Sequence, residues 1–288
     1  MVAVEQGGMV AQLAKVLDID ALAAAIPDGS LIAYPPDYSF VPMALTRALI
    51  RRAARRLRIL AVPIGGMGVD MLVGAGCLVE VEAGAVSLGE AGPAPCFVRA
   101  VQSGAIRMRD STCPAVHTAL QAAEKGVPFM PLRGLIGSDI LAARDDWKII
   151  DDPFGAGGGP IVLLPAIQPD VAVFHSPLAD RNGNVWIGRR RELATMAHAA
   201  KRTLVTVERI QEADLLADEA TAGGTLPDIY VSALAEVADG AWPVGLPGYR
   251  PRDEAAVAAY ARAAASEGGF AEYLRRHVIA GAAEAAVA

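Results

Sequence analysis

Three side chains are best placed by sequence to meet a substrate: Arg133, Ser138 and His175. Arg133 directly follows the apolar run Val127 to Leu132 and opens Gly134-Leu135-Ile136-Gly137-Ser138-Asp139. A guanidinium offers a planar fork to a carboxylate. Ser138 adds a hydroxyl, and nearby glycines admit a close ligand. A structural salt bridge to an acidic loop residue is the competing reading of Arg133. His175 ends a short apolar run and begins a polar loop that reaches Asn184. Ligand contact and a loop anchor bonded to backbone both suit it. Asp180 shares that loop, but no nucleophile accompanies the pair, which points to architecture of a shared site or of an interface with a partner.

Gly65-Gly66-Met67-Gly68 lies between a predicted strand and a predicted helix. Such a turn can set backbone N–H groups against an anion, and Gly65 and Gly66 are the residues for it. It does not complete G-x-G-x-x-G, and packing alone is the commoner explanation of such a turn. Cys113 precedes Pro114 at a predicted helix start, where a reactive thiol competes with an inert buried cysteine. His117, His198 and His277 fall in helical patterns, and no two of the four histidines share the i, i+4 spacing of a metal site. No G-x-S-x-G elbow is present. Arg51, Arg52, Arg55, Arg56 and Arg58 read first as a solvated helix face and second as an attractor of polyanions.

The elements that must hold these residues alternate. A helix is predicted over Met9 to Ile26, then a strand at Ser30 to Tyr34 and a helix from Pro42 to about Arg56. Strands follow at Arg58 to Pro63, Leu78 to Glu82 and Val127 to Leu132, with helices at Ala94 to Ser103 and Pro114 to Glu124. Arg133 to Pro160 reads as loop, including Gly157-Gly158-Gly159. Ile161 to Pro165, Val171 to His175 and Thr203 to Glu208 are strands, and Leu193 to Ala200 and the tail from Asp253 are helical. Asn182-Gly183 is a tight turn. This rhythm predicts an α/β fold with a parallel-rich sheet flanked by helices, in one domain over residues 1–288 with a possible subdivision near 150–160. Ligands then belong beyond the carboxyl ends of strands, in the loops after Tyr34, Pro63, Leu132, His175 and Glu208.

Composition narrows the class. A hydrophobic share of 53% over 288 residues fills a full core, and a net charge of −6 disfavours non-specific nucleic acid binding. Three cysteines, Cys77, Cys96 and Cys113, give neither a zinc spacing nor a disulfide scaffold. With no signal-peptide pattern and no apolar run free of breakers, the expectation is a cytoplasmic protein with no membrane contact.

Four stretches carry a resemblance. They are SLGEAGPAPCFVRAVQSGAI (Ser87 to Ile106), ALQAAEKGVPFMPLRGLIGSD (Ala119 to Asp139), PAIQPDVAVFHSPLADRNGNVWIG (Pro165 to Gly188) and TLVTVERI (Thr203 to Ile210). Together they resemble the alpha-type subunit of class I coenzyme A transferases, nearest the glutaconate CoA-transferase group. The resemblance implies one α/β half of a two-part enzyme. It implies ping-pong transfer of CoA between an acyl-CoA and a carboxylic acid, with coenzyme A as cosubstrate and no other bound cofactor. The attacking glutamate would sit on a beta-type partner in a hetero-oligomer, so no catalytic residue is expected here. Arg133, Ser138 and His175 would face substrate, and Gly65 and Gly66 the CoA. Two departures stand out. The usually glycine-rich first loop reads YPPDYSFVP, and a glutamate found in many relatives is absent near Cys113. Arg133 matches an arginine of related CoA-dependent ring-opening hydrolases. A CoA-ester hydrolase and a non-catalytic sugar-phosphate-binding protein of the same fold are therefore the alternatives.

Overall fold

The computed structural model describes residues 14–155 and 159–280. The first half runs β1 (Lys15–Val16), α1 (Ile19–Ala24), β2 (Leu31–Tyr34), α2 (Met43–Arg51), β3 (Leu57–Ala61), α3 (Met67–Gly74), β4 (Leu78–Ala83), α4 (Pro95–Gln102), β5 (Arg107–Asp110) and α5 (Cys113–Glu124). Next come β6 (Phe129–Leu132), β7 (Lys148–Asp151), β8 (Pro160–Pro165), β9 (Val171–Ser176), β10 (Ala179–Asp180) and β11 (Val185–Trp186). The chain continues with α6 (Arg191–Ala199), β12 (Thr203–Val207), β13 (Ile210–Gln211), α7 (Glu219–Ala222), β14 (Thr225–Leu226) and β15 (Ala233–Glu236). Helices α8 (Glu254–Ala264) and α9 (Glu267–Leu274) follow.

Local chemistry sets many of these boundaries. Asp18, Thr112 and Asp253 each accept a backbone N–H in the first turn of α1, α5 and α8. Pro114 enters α5 where its missing N–H costs nothing. Gly126, at φ +65°, follows the end of α5.

Eight strands form one sheet in the order β1-β15-β12-β9-β2-β3-β4-β5, every neighbour parallel. The predicted parallel α/β sheet is thus observed. Side chains alternate between its faces as a pleat demands. Ile32 and Tyr34 of β2 join the core under α1, α2, α3, α4, α8 and α9. Ala33 joins the core under α5 and α6, with Phe174, Val205 and Leu234. Strand order runs outward from β2 on one side and from β9 on the other. The crevice between β2 and β9 is therefore the switch point at which open parallel sheets bind ligands. Among the described residues no helix is long and apolar enough to cross a membrane.

Three expectations are corrected. Val127 to Leu132 does not enter the parallel sheet: β6 pairs antiparallel with β8, and β8 with β7, in a separate three-stranded sheet. The predicted loop Arg133 to Pro160 accordingly contains a strand, Lys148–Asp151. The helix expected over Met9 to Ile26 lies partly outside the described residues. Its described part divides, because Lys15 and Val16 pair with Ala233 and Leu234, and Asp18 then starts α1. Gly157 and Gly158 also lie outside the described residues.

A buried ionic cluster ties the three-stranded sheet to the main one. The Arg144 guanidinium is only 2% exposed. It donates to both oxygens of Asp146 at 2.8 Å, to Glu82 of β4 at 2.8 Å and to the Asp110 carbonyl of β5 at 3.0 Å. Arg109 of β5 closes the ring, reaching Glu82 at 3.2 Å and Asp146 at 2.7 Å. Hydrogen bonds from Arg144 hold the Asp146 carboxyl below the usual carboxylate range.

Candidate functional site

A well-formed concavity lies where the loops after β2, β3 and β4 meet the segment that follows β15. It encloses about 660 Å³, a volume suited to a small organic ligand. Its walls come from Asp37 and Tyr38 after β2, Ile64 and Gly65 after β3, Ser87 and Gly89 after β4, and Val244 to Arg252.

Asp37 explains the glycine loop. Its Oδ2 accepts the Met67 N–H at 3.0 Å, so the first turn of α3 is already capped by an internal carboxylate. A Cβ on Gly66 would come within 2.0 Å of the Asp37 carboxyl carbon. The anion for which Gly66 makes room is therefore part of the protein. Gly65 lines the cavity itself. Burial pushes the Asp37 carboxyl above its ordinary range, against the opposing pull of the Met67 N–H and Arg252.

The segment Val244 to Arg252 forms a lip. Leu246 and Arg250 exchange backbone hydrogen bonds of 2.9 and 2.7 Å, with Pro247 and Gly248 at the tip. Gly248 has φ +89°, as the third position of a type II turn requires. The lip is fastened to the body. Arg190 donates to the Pro247 carbonyl at 3.0 Å and stacks 3.9 Å above the Phe40 ring, which also meets Tyr249 edge-on. Arg252 donates to the Leu88 carbonyl at 2.8 Å, with Asp37 at 3.5 Å and Glu254 at 3.3 Å. Arg250 pairs with Asp239 at 2.9 Å and lies 3.5 Å from Glu208.

His175 lies beneath this lip, fully buried. Its Nδ1 is 2.9 Å from Thr206 Oγ1 and its Nε2 is 2.9 Å from Glu208 Oε1. The second oxygen of Glu208 accepts the Asp239 N–H at 3.0 Å. Burial opposes ionisation of Glu208, yet the bonds from His175 and the Asp239 N–H hold its carboxyl below the ordinary value. The imidazole thus positions the start of the segment that carries the lip. A Cβ on Gly240 would fall 2.3 Å from His175 Cε1. Gly240→Ala is expected to cost about 1–3 kcal/mol by overpacking, read as a lowered midpoint in denaturant unfolding.

The other expected contacts lie apart from the cavity. Arg133 pairs with Asp152 at 2.5 Å and is 52% exposed, at the end of an antiparallel strand. It borders a second hollow of about 500 Å³, walled by Phe129, Pro131, Ile161 and Leu163, which shares no lining residue with the first. Ser138 precedes the short 3-10 turn Asp139–Ala143, and its buried Oγ has no hydrogen-bond partner among the described residues. Cys113 is exposed in the first turn of α5, with its sulfur facing the Gly84 backbone. Arg51 and Arg52 pair with Asp20 and Asp28 on the helix face. Nothing in the sequence pattern singles out Asp37, Tyr38, Arg250 and Arg252. The one available signal is Pro247-Gly248-Tyr249-Arg250-Pro251-Arg252, a turn sequence dense in arginine.

Comparison with known proteins is consistent with this arrangement. The chain is 34% identical over 83% of its length to an uncharacterized protein of Archaeoglobus fulgidus, of which it spans only 53%. It is 30% identical to a 3-oxoadipate CoA-transferase chain of Pseudomonas knackmussii, over 81% of this chain and 82% of that one. The same identity relates it to the cholesterol ring-cleaving hydrolase IpdA subunit of Mycobacterium tuberculosis, over 82% and 83% of the two chains. The crystal structure of a decarboxylase AibA/AibB variant superposes with TM-score 0.78 at 28% identity, covering 92% of this chain and all of that one. Glutaconate coenzyme A-transferase from Acidaminococcus fermentans shares the fold with TM-score 0.84 at 24% identity, over 93% and 89% of the two chains. The sequence pattern described as coenzyme A transferase matches residues 16–236, from the edge strand β1 to the end of β15. That span holds the whole parallel sheet and every wall of the cavity except the lip, and the chain belongs to the coenzyme A transferase family.

Proposed function

We propose that this chain is the alpha-type half of a heteromeric CoA transferase and supplies a binding cavity to a beta-type partner that holds the nucleophile. One observation carries the reading. Among the described residues the cavity is lined by a single carboxyl group, Asp37, whose Oδ2 is tied to the Met67 N–H and faces Arg252 and whose ionisation burial opposes. Acyl transfer by this route needs an ionised carboxylate to attack the thioester, which favours an attacking group supplied from elsewhere. Acyl-CoA and a carboxylic acid are the substrates in this reading, and coenzyme A is the group moved. The test is co-expression with the beta-type partner. CoA transfer is expected from the mixture and not from either chain alone. Full transfer by this chain alone would sink the division of labour.

A second reading, a CoA-ester hydrolase, is favoured by the 30% identity to the ring-cleaving hydrolase chain. It predicts release of free acid with water as acceptor, measurable in the same mixture without an added carboxylate. Arg133 separates two uses of the chain. As a substrate clamp, its replacement by alanine would lower kcat/KM about tenfold or more, the scale of one charge-assisted contact. The Asp152 pair and the separate hollow favour a structural role, so Arg133→Ala is expected to change kcat/KM less than about twofold.

A further inference from the structure

We infer that Arg250, on the lip of the cavity, holds the carboxylate of the acid that takes part in CoA exchange. The inference rests on the transferase reading, in which a free carboxylic acid is a substrate, and it names the residue of this chain that receives it. The lip lies beyond residues 16–236, so the contact falls outside the matched family pattern.

Three guanidinium groups meet at the lip and differ in what they have left to give. Arg190 donates to the Pro247 carbonyl and lies against Phe40, so it anchors the lip. Arg252 donates to the Leu88 carbonyl, with Asp37 and Glu254 beside it. Arg250 lines the cavity, is 54% exposed, and its side chain donates no hydrogen bond among the described residues. Its contacts are ionic only, with Asp239 at 2.9 Å and Glu208 at 3.5 Å. Asp239 is 59% exposed, so water screens that pair and little holds Arg250 to it. Glu208 is already satisfied, with Oε1 against His175 and Oε2 accepting the Asp239 N–H. A guanidinium carries its N–H donors in a planar fork, so Arg250 has donors to spare for a carboxylate. Its backbone is held, because Leu246 and Arg250 bond each other across the turn and the lip is fastened on either side. The local charge favours an anion as well. Three arginines stand against two inner carboxyls, Glu208 and Asp37, and burial opposes ionisation of Asp37. Glu254, like Asp239, is mostly exposed and screened. Ile64, Val244, Pro251 and the Tyr38 and Tyr249 rings offer apolar wall to the chain behind the carboxylate.

The test titrates hexanoate and hexanamide, which share one carbon chain and differ in charge, into the protein alone and into its complex with the beta-type partner. Binding is followed by NMR. Hexanoate is expected to bind about tenfold tighter than hexanamide to at least one of these forms, the low end for a hydrogen bond to a charged group. Arg250→Gln is expected to abolish that preference and leave hexanamide binding unchanged. A purely structural role for Arg250 would not move the ratio. Asp239→Asn gives a gain-of-affinity readout. Asp239 has φ +53°, which asparagine also tolerates, so the variant keeps the backbone while releasing Arg250. Its hexanoate affinity is expected to rise about threefold, the scale of one lost exposed ion pair. Equal affinities for the two probes, no binding of hexanoate by either form, or a preference that survives Arg250→Gln would overturn the inference. Unchanged or weaker hexanoate binding in Asp239→Asn would do the same, as would an Arg250→Gln variant that loses inorganic phosphate and keeps hexanoate. An Arg250-dependent preference with no CoA transfer by the complex would uphold the contact and overturn the transferase reading. CoA transfer by the complex, with a hexanoate preference that Arg250→Gln leaves in place, would overturn the contact and leave that reading standing.

Discussion

Arg144→Met is expected to lower the stability of this protein by about 3–5 kcal/mol, the scale measured when one partner of a buried ionic group is removed. The loss would show as an earlier urea midpoint. Methionine fills much of the arginine stem's volume, so the effect reports charge more than packing. With Arg144 gone, Glu82 keeps Arg109 alone, at 3.2 Å. Asp146 loses both of its fork bonds. Trp147 also loses the guanidinium now stacked 4.0 Å from its ring. The pH dependence has a definite sign. Asp146 is held below its ordinary value in the folded state, so its contribution is present above the unfolded carboxylate range near pH 4 and fades as pH falls through the folded value. The gap between wild type and Arg144→Met should therefore narrow as the solution is acidified below about pH 4. A gap that widened there would contradict the assignment, as would a variant as stable as the parent at neutral pH.

Asp180→Ala is expected to cost about 4 kcal/mol and to impair folding or assembly with the partner before chemistry. The Asp180 side chain is buried and accepts four hydrogen bonds. Oδ1 takes the backbone N–H groups of Asn182 and Asn184, both at 3.0 Å. Oδ2 takes Asn184 Nδ2 and the Leu215 N–H, both at 2.8 Å. Asn184 in turn accepts the Asp228 N–H at 2.9 Å. This network fastens three separate stretches of chain around the β10–β11 turn. Alanine would leave several donors buried and unpaired, at about 1–3 kcal/mol each before relaxation. The check is urea unfolding together with recovery of the beta-type partner on co-purification. A variant that assembles and unfolds like wild type but fails in CoA transfer would show that Asp180 acts in the chemistry.

The same network marks how far local sequence reaches. In the loop from His175 to Asn184, Asp180 and Asn184 satisfy one another and their neighbours, which supports the reading of that loop as architecture. His175 presents the same lesson in a different form. Its position at a strand end is legible, but its ring turns to Thr206 and Glu208, which lie 31 and 33 residues away. Nothing within one turn or one strand of His175 announces those partners. Arg133 reads as the residue after a parallel strand because Val127 to Leu132 is short and apolar. A short apolar run has no period that separates a parallel sheet from an antiparallel one, and β6 pairs with β8 instead.

By itself the sequence determined the alternation of strands and helices, the Asn-Gly and glycine turns and the likeness to the transferase family. All of these depend on chemistry within a few residues or on long ordered stretches of pattern. Tertiary structure alone decided which strands pair and what surrounds the cavity. Asp37 and Arg252 are 215 residues apart in the chain and 3.5 Å apart in space. Their meeting depends on β2 lying at the centre of the sheet and on the chain after β15 returning across its carboxyl edge. The energy that brings them there comes from apolar burial on both faces of the sheet. That driving force is non-directional, so local pattern carries no record of which charged side chains it will set face to face.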